Sequence, residues 1–264
     1  MRAVPTVSLG AMVALAASLL LARVHPFGDA GLHAAQGSET PVLTGGQFPQ
    51  SVGALLVEKC ADCHSNRTHA PLYGRFAPAS WLMERDIVEA RKAMNLSQWD
   101  GYSPDQRQTF AAKIVQETKS RRMPLPQYRL IHWNARISDA DVATLNGWAR
   151  AESGAGAEEQ VAGTGDPMRG KALFEKRCTG CHALTKNMEG PQLQGVFGRT
   201  SGTAPGFAYS AALKKAGIVW DESSLDKWLS DPDAFIAGNE MDFSIANAQE
   251  RLDLIKYLRL SLGK

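Results

Sequence analysis

The sequence spends no cysteine outside two short stretches, carries no surplus of either charge, and has few of the alternating apolar and polar runs that build sheets. Only four of its 264 residues are cysteine. That excludes a small scaffold stapled by many disulfides, which would be dense in cysteine. The 29 Lys and Arg against 27 Asp and Glu leave a formal charge of +2, and each half of the chain is close to neutral. This excludes the clustered basic surplus of a nucleic-acid binder and long-range steering of a strongly charged partner. The scarcity of period-two runs argues against a sheet. What remains, 44% apolar and 21% charged residues, is the composition of a folded chain, long enough for one large domain or two small ones.

Helical punctuation is plentiful. "SVGALLVEKC" leads into the first cysteine, and "PASWLMERDIVEARKAMN" repeats Leu82, Met83, Ile87, Ala90 and Met94 near a helical period. "SPDQRQTFAAKIVQETK" opens with Ser103 as N-cap, Pro104 at the first helical position and Gln106 placed for a capping box. Ser138 caps "SDADVATLNGWAR". In the second half, Asp166 and Pro167 open "DPMRGKALFEKRC", a helix runs from Asp221 towards Pro232, and "NAQERLDLIKYLRLSL" leads to the chain end. The expected fold is all-α.

Glycine, proline and small residues divide the chain. Residues 1–24 form an apolar N-terminal segment, uncharged from Ala3 to Ala22. It reads either as a signal peptide, with a small-residue cleavage site around Ala35, or as a membrane anchor through residues 3–22, with a slight lean to the anchor. Residues 25–50 read as a tether, 51–150 as one helical domain, 151–164 as a flexible linker and 165–264 as a second domain.

The four cysteines stand in two identical frames, "CADCH" at 60–64 and "CTGCH" at 178–182. A shift of 118 residues carries Cys60 to Cys178, Cys63 to Cys181, His64 to His182 and Met123 to Met241, as two tandem domains of one plan would. Cys-x-x-Cys-His is the signature of covalent haem c attachment: the thiols add to the two vinyl groups and the adjacent imidazole reaches the iron. A zinc site built from both pairs would leave the histidines idle and span far more than the usual spacing. A thioredoxin-type pair lacks its βαβ context, and two disulfides across two residues each would staple almost nothing. Two haem c groups are therefore expected on Cys60, Cys63, Cys178 and Cys181, with His64 and His182 on the irons. A methionine at the sixth position raises the potential. Met241, in the loop "AGNEMDF", is the candidate in the second half; Met123 is the candidate in the first, with His132 and His69 as rivals and Met83 and Met94 read as core. The six tryptophans, Trp81, Trp99, Trp133, Trp148, Trp220 and Trp228, read as walls around the haems. Lys171, Lys176, Arg177 and Lys186 read as a solvated helix face.

Along nearly all of 165–264, "GKALFEKRCTGCHAL", "EGPQLQGVFGRT…FIAGNEMDF" and "ERLDLIKYL" resemble class I cytochrome c of the mitochondrial type. The resemblance implies Gly170 and Phe174 packed on the last helix near Leu254 and Tyr257, and a Pro191 carbonyl holding the ring N–H of His182. It implies Arg199, Tyr209 and Trp220 around the haem propionates, with Met241 as the axial methionine. Ala237 stands where the family usually shows proline, and Asn239–Glu240 puts an acid beside the ligand. Over about 50–150, "CADCHSNRTHAPLYGRF…" with "MPLPQYRLIH" resembles a bacterial c-type haem-binding domain family, which supports His64 and Met123; Pro71 is loosely parallel to Pro191. The expectation is a di-haem c-type cytochrome in the periplasm, soluble or anchored to the inner membrane. It would carry single electrons between other redox proteins or a membrane oxidoreductase, rather than act as an enzyme. The alternative is a di-haem peroxidase-like enzyme with an open sixth position on the first haem.

Overall fold

The computed structural model describes residues 6–33, 43, 48–153 and 163–260. Among them are twelve α-helices and no strand, with one isolated bridge between Thr200 and Val219. In chain order these are α1 (Thr6–Leu21), α2 (Gln50–Lys59), α3 (Ala61–His64), α4 (Ala79–Ala93), α5 (Pro104–Lys119) and α6 (Pro126–Ile131). The rest are α7 (Asp139–Glu152), α8 (Pro167–Leu173), α9 (Ala211–Lys215), α10 (Glu222–Ser230), α11 (Pro232–Phe235) and α12 (Ala248–Leu260). The chain divides into two compact units, Met1–Gly101 with Asn134–Arg136, and Tyr102–Trp133 with Ile137–Lys264. The first holds α1–α4 and the second α5–α12.

The helix starts follow local chemistry. Ser103 accepts from the Gln106 backbone N–H while the Gln106 side chain accepts from the Ser103 N–H, and Ser138 with Asp141 does the same. Each satisfies two of the donors a helix N-terminus leaves unpaired. Asp166 accepts from the backbone N–H groups of Met168 and Arg169 ahead of α8, and Asp221 with Ser224 forms a third box ahead of α10.

In the first unit α2, α3 and the turn after α4 enclose a core of Val52, Leu56, Leu96 and Trp99. Phe48 leans on Trp99 with ring centres 5.1 Å apart. The buried face of α4 is Ser80, Glu84 and Ile87, while Leu82, expected inward, is 50% exposed. Ile87 and Met94 are buried as expected and Met83 and Ala90 partly so; the buried face also takes in Glu84, because residues 22–33 of the chain cover that side.

The second unit is built on the crossing of α8 and α12. A Cβ on Gly170 would overlap the Asp253 carbonyl, so only glycine allows this approach, and Phe174 meets Tyr257 one turn later with centres 5.5 Å apart. Arg169 clamps Asp253 from the side at 2.7 and 3.0 Å. Phe174, Trp220, Leu225, Trp228, Ile245 and Leu254 lie in one buried cluster.

Helices α5 and α7, which lie in the sequence before the linker, belong to this second unit. Charged and polar ties account for it. Arg177 and Lys176 both reach Asp105, and Lys113 meets Glu189 at 3.1 Å. Lys119 sits between Asp242 at 2.9 Å and Asp233 at 3.2 Å. Arg150 grips Asp231 with two bonds, 2.8 and 2.6 Å, and Gln108 donates to the Ser244 carbonyl at 2.7 Å. Of the basic residues read as a solvated helix face, Lys171 and Lys176 are exposed, with side chains 54% and 62% open, while Arg177 turns inward at 17%. Trp133, expected in a haem wall, is 80% exposed.

Candidate functional site

In the second unit α8 runs into a wider π-type turn over Phe174–Cys178, closed by the Thr179 N–H on the Phe174 carbonyl at 3.3 Å. That turn delivers Cys178, Cys181 and His182 to the wall of an open, largely apolar cavity. Burial pushes the Cys178 and Cys181 thiols up to about 12, so unreacted they are neutral. His182 points its Nδ1 at the Pro191 carbonyl, 2.8 Å away. Burial depresses its pKa against that bond. A neutral imidazole whose Nδ1 carries the proton keeps an Nε2 lone pair for a metal. Gly190 lies so close under the ring that any Cβ there would overlap it, and its N–H donates to the Cys181 carbonyl at 2.8 Å.

Met241 lines the same cavity. Its backbone N–H donates to Asn239 Oδ1 at 2.7 Å. Asn239 is fully buried and its Nδ2 donates to the Ile236 carbonyl at 2.9 Å and to Asp233 at 3.1 Å. The Trp228 indole N–H donates to Met241 Sδ at 3.1 Å. Neither Asn239 nor Trp228 stands out in the sequence as a support for Met241, since both contacts depend on how the 236–241 loop folds back on α10. Beside the loop, the Asp242 side chain has no exposed surface; burial raises its pKa against the pull of Lys119. Arg199, Tyr209 and Trp220 line the cavity as well. Arg199 donates to the carbonyls of Gln194 and Gln192, both at 3.0 Å. Met188 is 42% exposed. A helical wall of neutral thiols, an imidazole with its Nδ1 engaged, a thioether in the same lining and aromatic walls fit a haem c group.

The first motif repeats the local plan with another support. Cys60 is the C-cap of α2, and the His64 N–H bonds to the Cys60 carbonyl at 3.0 Å, so Cys60, Cys63 and His64 share one turn. Burial pushes the two thiols up to about 12 and about 11. His64 Nδ1 sits 3.1 Å from the Met94 carbonyl, and burial lowers its pKa. The orienting carbonyl is thus Met94, thirty residues on, and not Pro71. Asn95 donates to Asn66 at 2.8 Å and the Asn66 N–H to Ser97 at 3.0 Å, which fixes that turn against the motif. Of the other candidates, His69 is half-exposed with its Nδ1 3.3 Å from Asp62. Met83 joins the cluster of Ala30, Leu32 and Ile87. His132 stacks on Tyr128 with centres 4.1 Å apart. Met123 precedes a cis peptide bond to Pro124 and, like His132, lies in the second unit.

Helices and loops that bring paired cysteines, a histidine and a methionine to one apolar cavity define a protein of the c-type haem class. The chain belongs to two families of that class, the haem-binding domain family over residues 19–151 and the cytochrome c family over residues 167–261. It is 50% identical over 98 residues to a cytochrome c of Euglena viridis, covering 36% of this chain and 96% of that one. It is 42% identical over 110 residues to a cytochrome c2 of Rhodopseudomonas palustris, covering 35% and 96%. Among solved structures, cytochrome cH from Methylobacterium extorquens matches with 41% identity over 36% of this chain and 99% of that chain, at a TM-score of 0.35. The protein is a haem electron carrier.

Proposed function

We propose that the protein carries two haem c groups, one per motif, and passes single electrons between redox partners in the periplasm. Haem supplies an iron that cycles between ferric and ferrous forms; the chain supplies attachment, ligands and shielding from water. Cys60 and Cys63 hold the first group with His64 on its iron, and Cys178 and Cys181 hold the second with His182. Met241 is the sixth ligand of the second iron. Met123 fills that place on the first, a reading supported by its standing 59 residues after His64, as Met241 does after His182 (123 − 64 and 241 − 182). Periplasmic placement is supported by the apolar N-terminus and by the need of covalent haem attachment for an exported chain. Among the described residues no helix is long and apolar enough to cross a membrane.

The observation that carries the reading is the cavity of the second unit, where Cys178, Cys181, His182 and Met241 converge. With six ligands on both irons, neither has a place for substrate, which favours a carrier over the peroxidase-like enzyme. Carbon monoxide added to the ferrous protein tests this. The Soret band stays unchanged for a carrier; rapid binding of one equivalent shows an open iron and assigns an enzyme instead.

A further inference from the structure

Helix α4 buries a carboxylate. The Glu84 side chain has no exposed surface, and a mid-helix glutamate is buried only where something covers and pairs it. The cover is the stretch directly after α1: His25 Nδ1 lies 2.6 Å from Glu84 Oε1. Around this pair, residues 18–33 are tied to the first unit at many points. Ser18 Oγ donates to the Ala77 carbonyl at 2.7 Å, and the Ala77 N–H returns a bond to the Ser18 carbonyl at 3.2 Å. The Trp81 indole donates to the Leu21 carbonyl at 3.0 Å. His33 Nε2 closes the stretch on itself through the Ala22 carbonyl at 2.8 Å.

The ties reach the haem motif. Arg91 on α4 donates to the Ala30 carbonyl at 3.0 Å, to the Ser65 carbonyl at 2.7 Å and to Thr68 Oγ1 at 3.1 Å. One guanidinium thus joins the N-terminal stretch to the loop that follows Cys60–His64. Ala22, Ala30 and Leu32 are all under 5% exposed. Ala30, Leu32 and Ile87 form one cluster, against which Met83, Ala70 and the attachment cysteine Cys63 pack. A leader destined for removal would share no core with the mature domain. The haem-binding domain match also begins at residue 19, inside α1.

We infer that residues 18–33 are a permanent part of the first haem unit, so that the exported chain is not cut at the small residues around Ala35 (which lie outside the described residues) and keeps α1. That helix has no charged residue and exposes Met12, Val13, Leu15, Leu19, Leu20 and Leu21 at 41 to 72%. Apolar surface of this size is not left to water, and its occupant is a lipid bilayer. Helix α1 is therefore embedded in the membrane and holds the first haem unit against it. The inference rests on the reading of the chain as exported.

Removal of residues 1–35 would strip Glu84 of its imidazole, Arg91 of one acceptor and the Cys63 cluster of two of its three buried members. The test is the intact mass of the protein matured in an exporting bacterial host, read together with fractionation. The expected polypeptide still contains residues 18–33, sediments with membranes, and is released by detergent but not by high salt. A mass lacking residues through Ala35 overturns the inference. So does a full-length chain in the aqueous fraction, whether as a monomer or as a dimer paired through α1. Haem additions are read separately in the same spectrum, so failure here is distinguishable from failure of the di-haem reading.

Discussion

Trp228 donates to the Met241 sulfur, in the cavity that His182 also lines, and Asn239 holds the backbone of that same methionine. Thioether donation to iron depends on the sulfur lone pairs, and a hydrogen bond to one of them withdraws electron density. Trp228→Phe is therefore expected to shift the methionine-to-iron charge-transfer band of the second haem and leave that of the first unchanged. Met123→Ala is expected to abolish the other band. A spectrum of Met123→Ala that matches wild type moves the first sixth ligand to His132 or His69. At this scale the sequence was readable where a residue's role lies in its near neighbours. The motif cysteines and histidines are of this kind; the Pro191 carbonyl on His182 follows instead from the resemblance to class I cytochrome c. The Met94 carbonyl on His64 was not readable: it arrives through the length of α4, and any residue can offer a carbonyl. Trp133 reads as core by type yet lies at the surface, since nothing in its immediate sequence reports which way the short turn at 133–135 faces.

Helix boundaries were legible for the same local reason. Ser103 with Gln106, Ser138, Asp166 and Asp221 all cap where their side-chain chemistry allows. Helix partners were not. Nothing in the period of α4 shows that Glu84 is the buried position, and nothing in α5 shows that Asp105 meets Lys176 and Arg177. Asp105 nevertheless controls the docking of α5. Burial raises the pKa of its carboxyl, but the bond from Lys176 and the charge of Arg177 outweigh this and hold it below the ordinary carboxylate value. Asp231, held down chiefly by Arg150, and Asp253, where Arg169 overcomes burial, behave alike. A carboxyl lowered on folding contributes stability that is full above the unfolded value, about 4, and is lost as pH falls through the lower folded value. Amide hydrogen exchange in α5 and α7 is thus expected to accelerate as pH falls below about 4, before the α8–α12 crossing opens. Asp105→Asn is expected to cost on the order of 1 to 2 kcal/mol at neutral pH and to reduce the acid effect in α5. Equal exchange in variant and wild type across that range contradicts the role given to Asp105.

Across the whole molecule, the two motifs and the all-α class were plain from composition, spacing and the repeat of 118 residues. The grouping of helices was less so. The small-residue stretch after α7 separates the two family matches, 19–151 and 167–261, while the compact units part before α5; the ion pairs over 105–253 that tie α5 and α7 into the second unit leave no periodic trace. Both halves nonetheless present a Cys-x-x-Cys-His turn with buried thiols and an imidazole whose Nδ1 is taken by a carbonyl. That shared chemistry underlies the claim of one haem per motif. Haem per chain, measured by pyridine haemochrome absorbance against protein concentration, tests it most directly in wild type and in two double variants. The expected values are two for wild type and one each for Cys60→Ser with Cys63→Ser and for Cys178→Ser with Cys181→Ser. A wild-type value of one, with no loss on replacing the first cysteine pair, would contradict it.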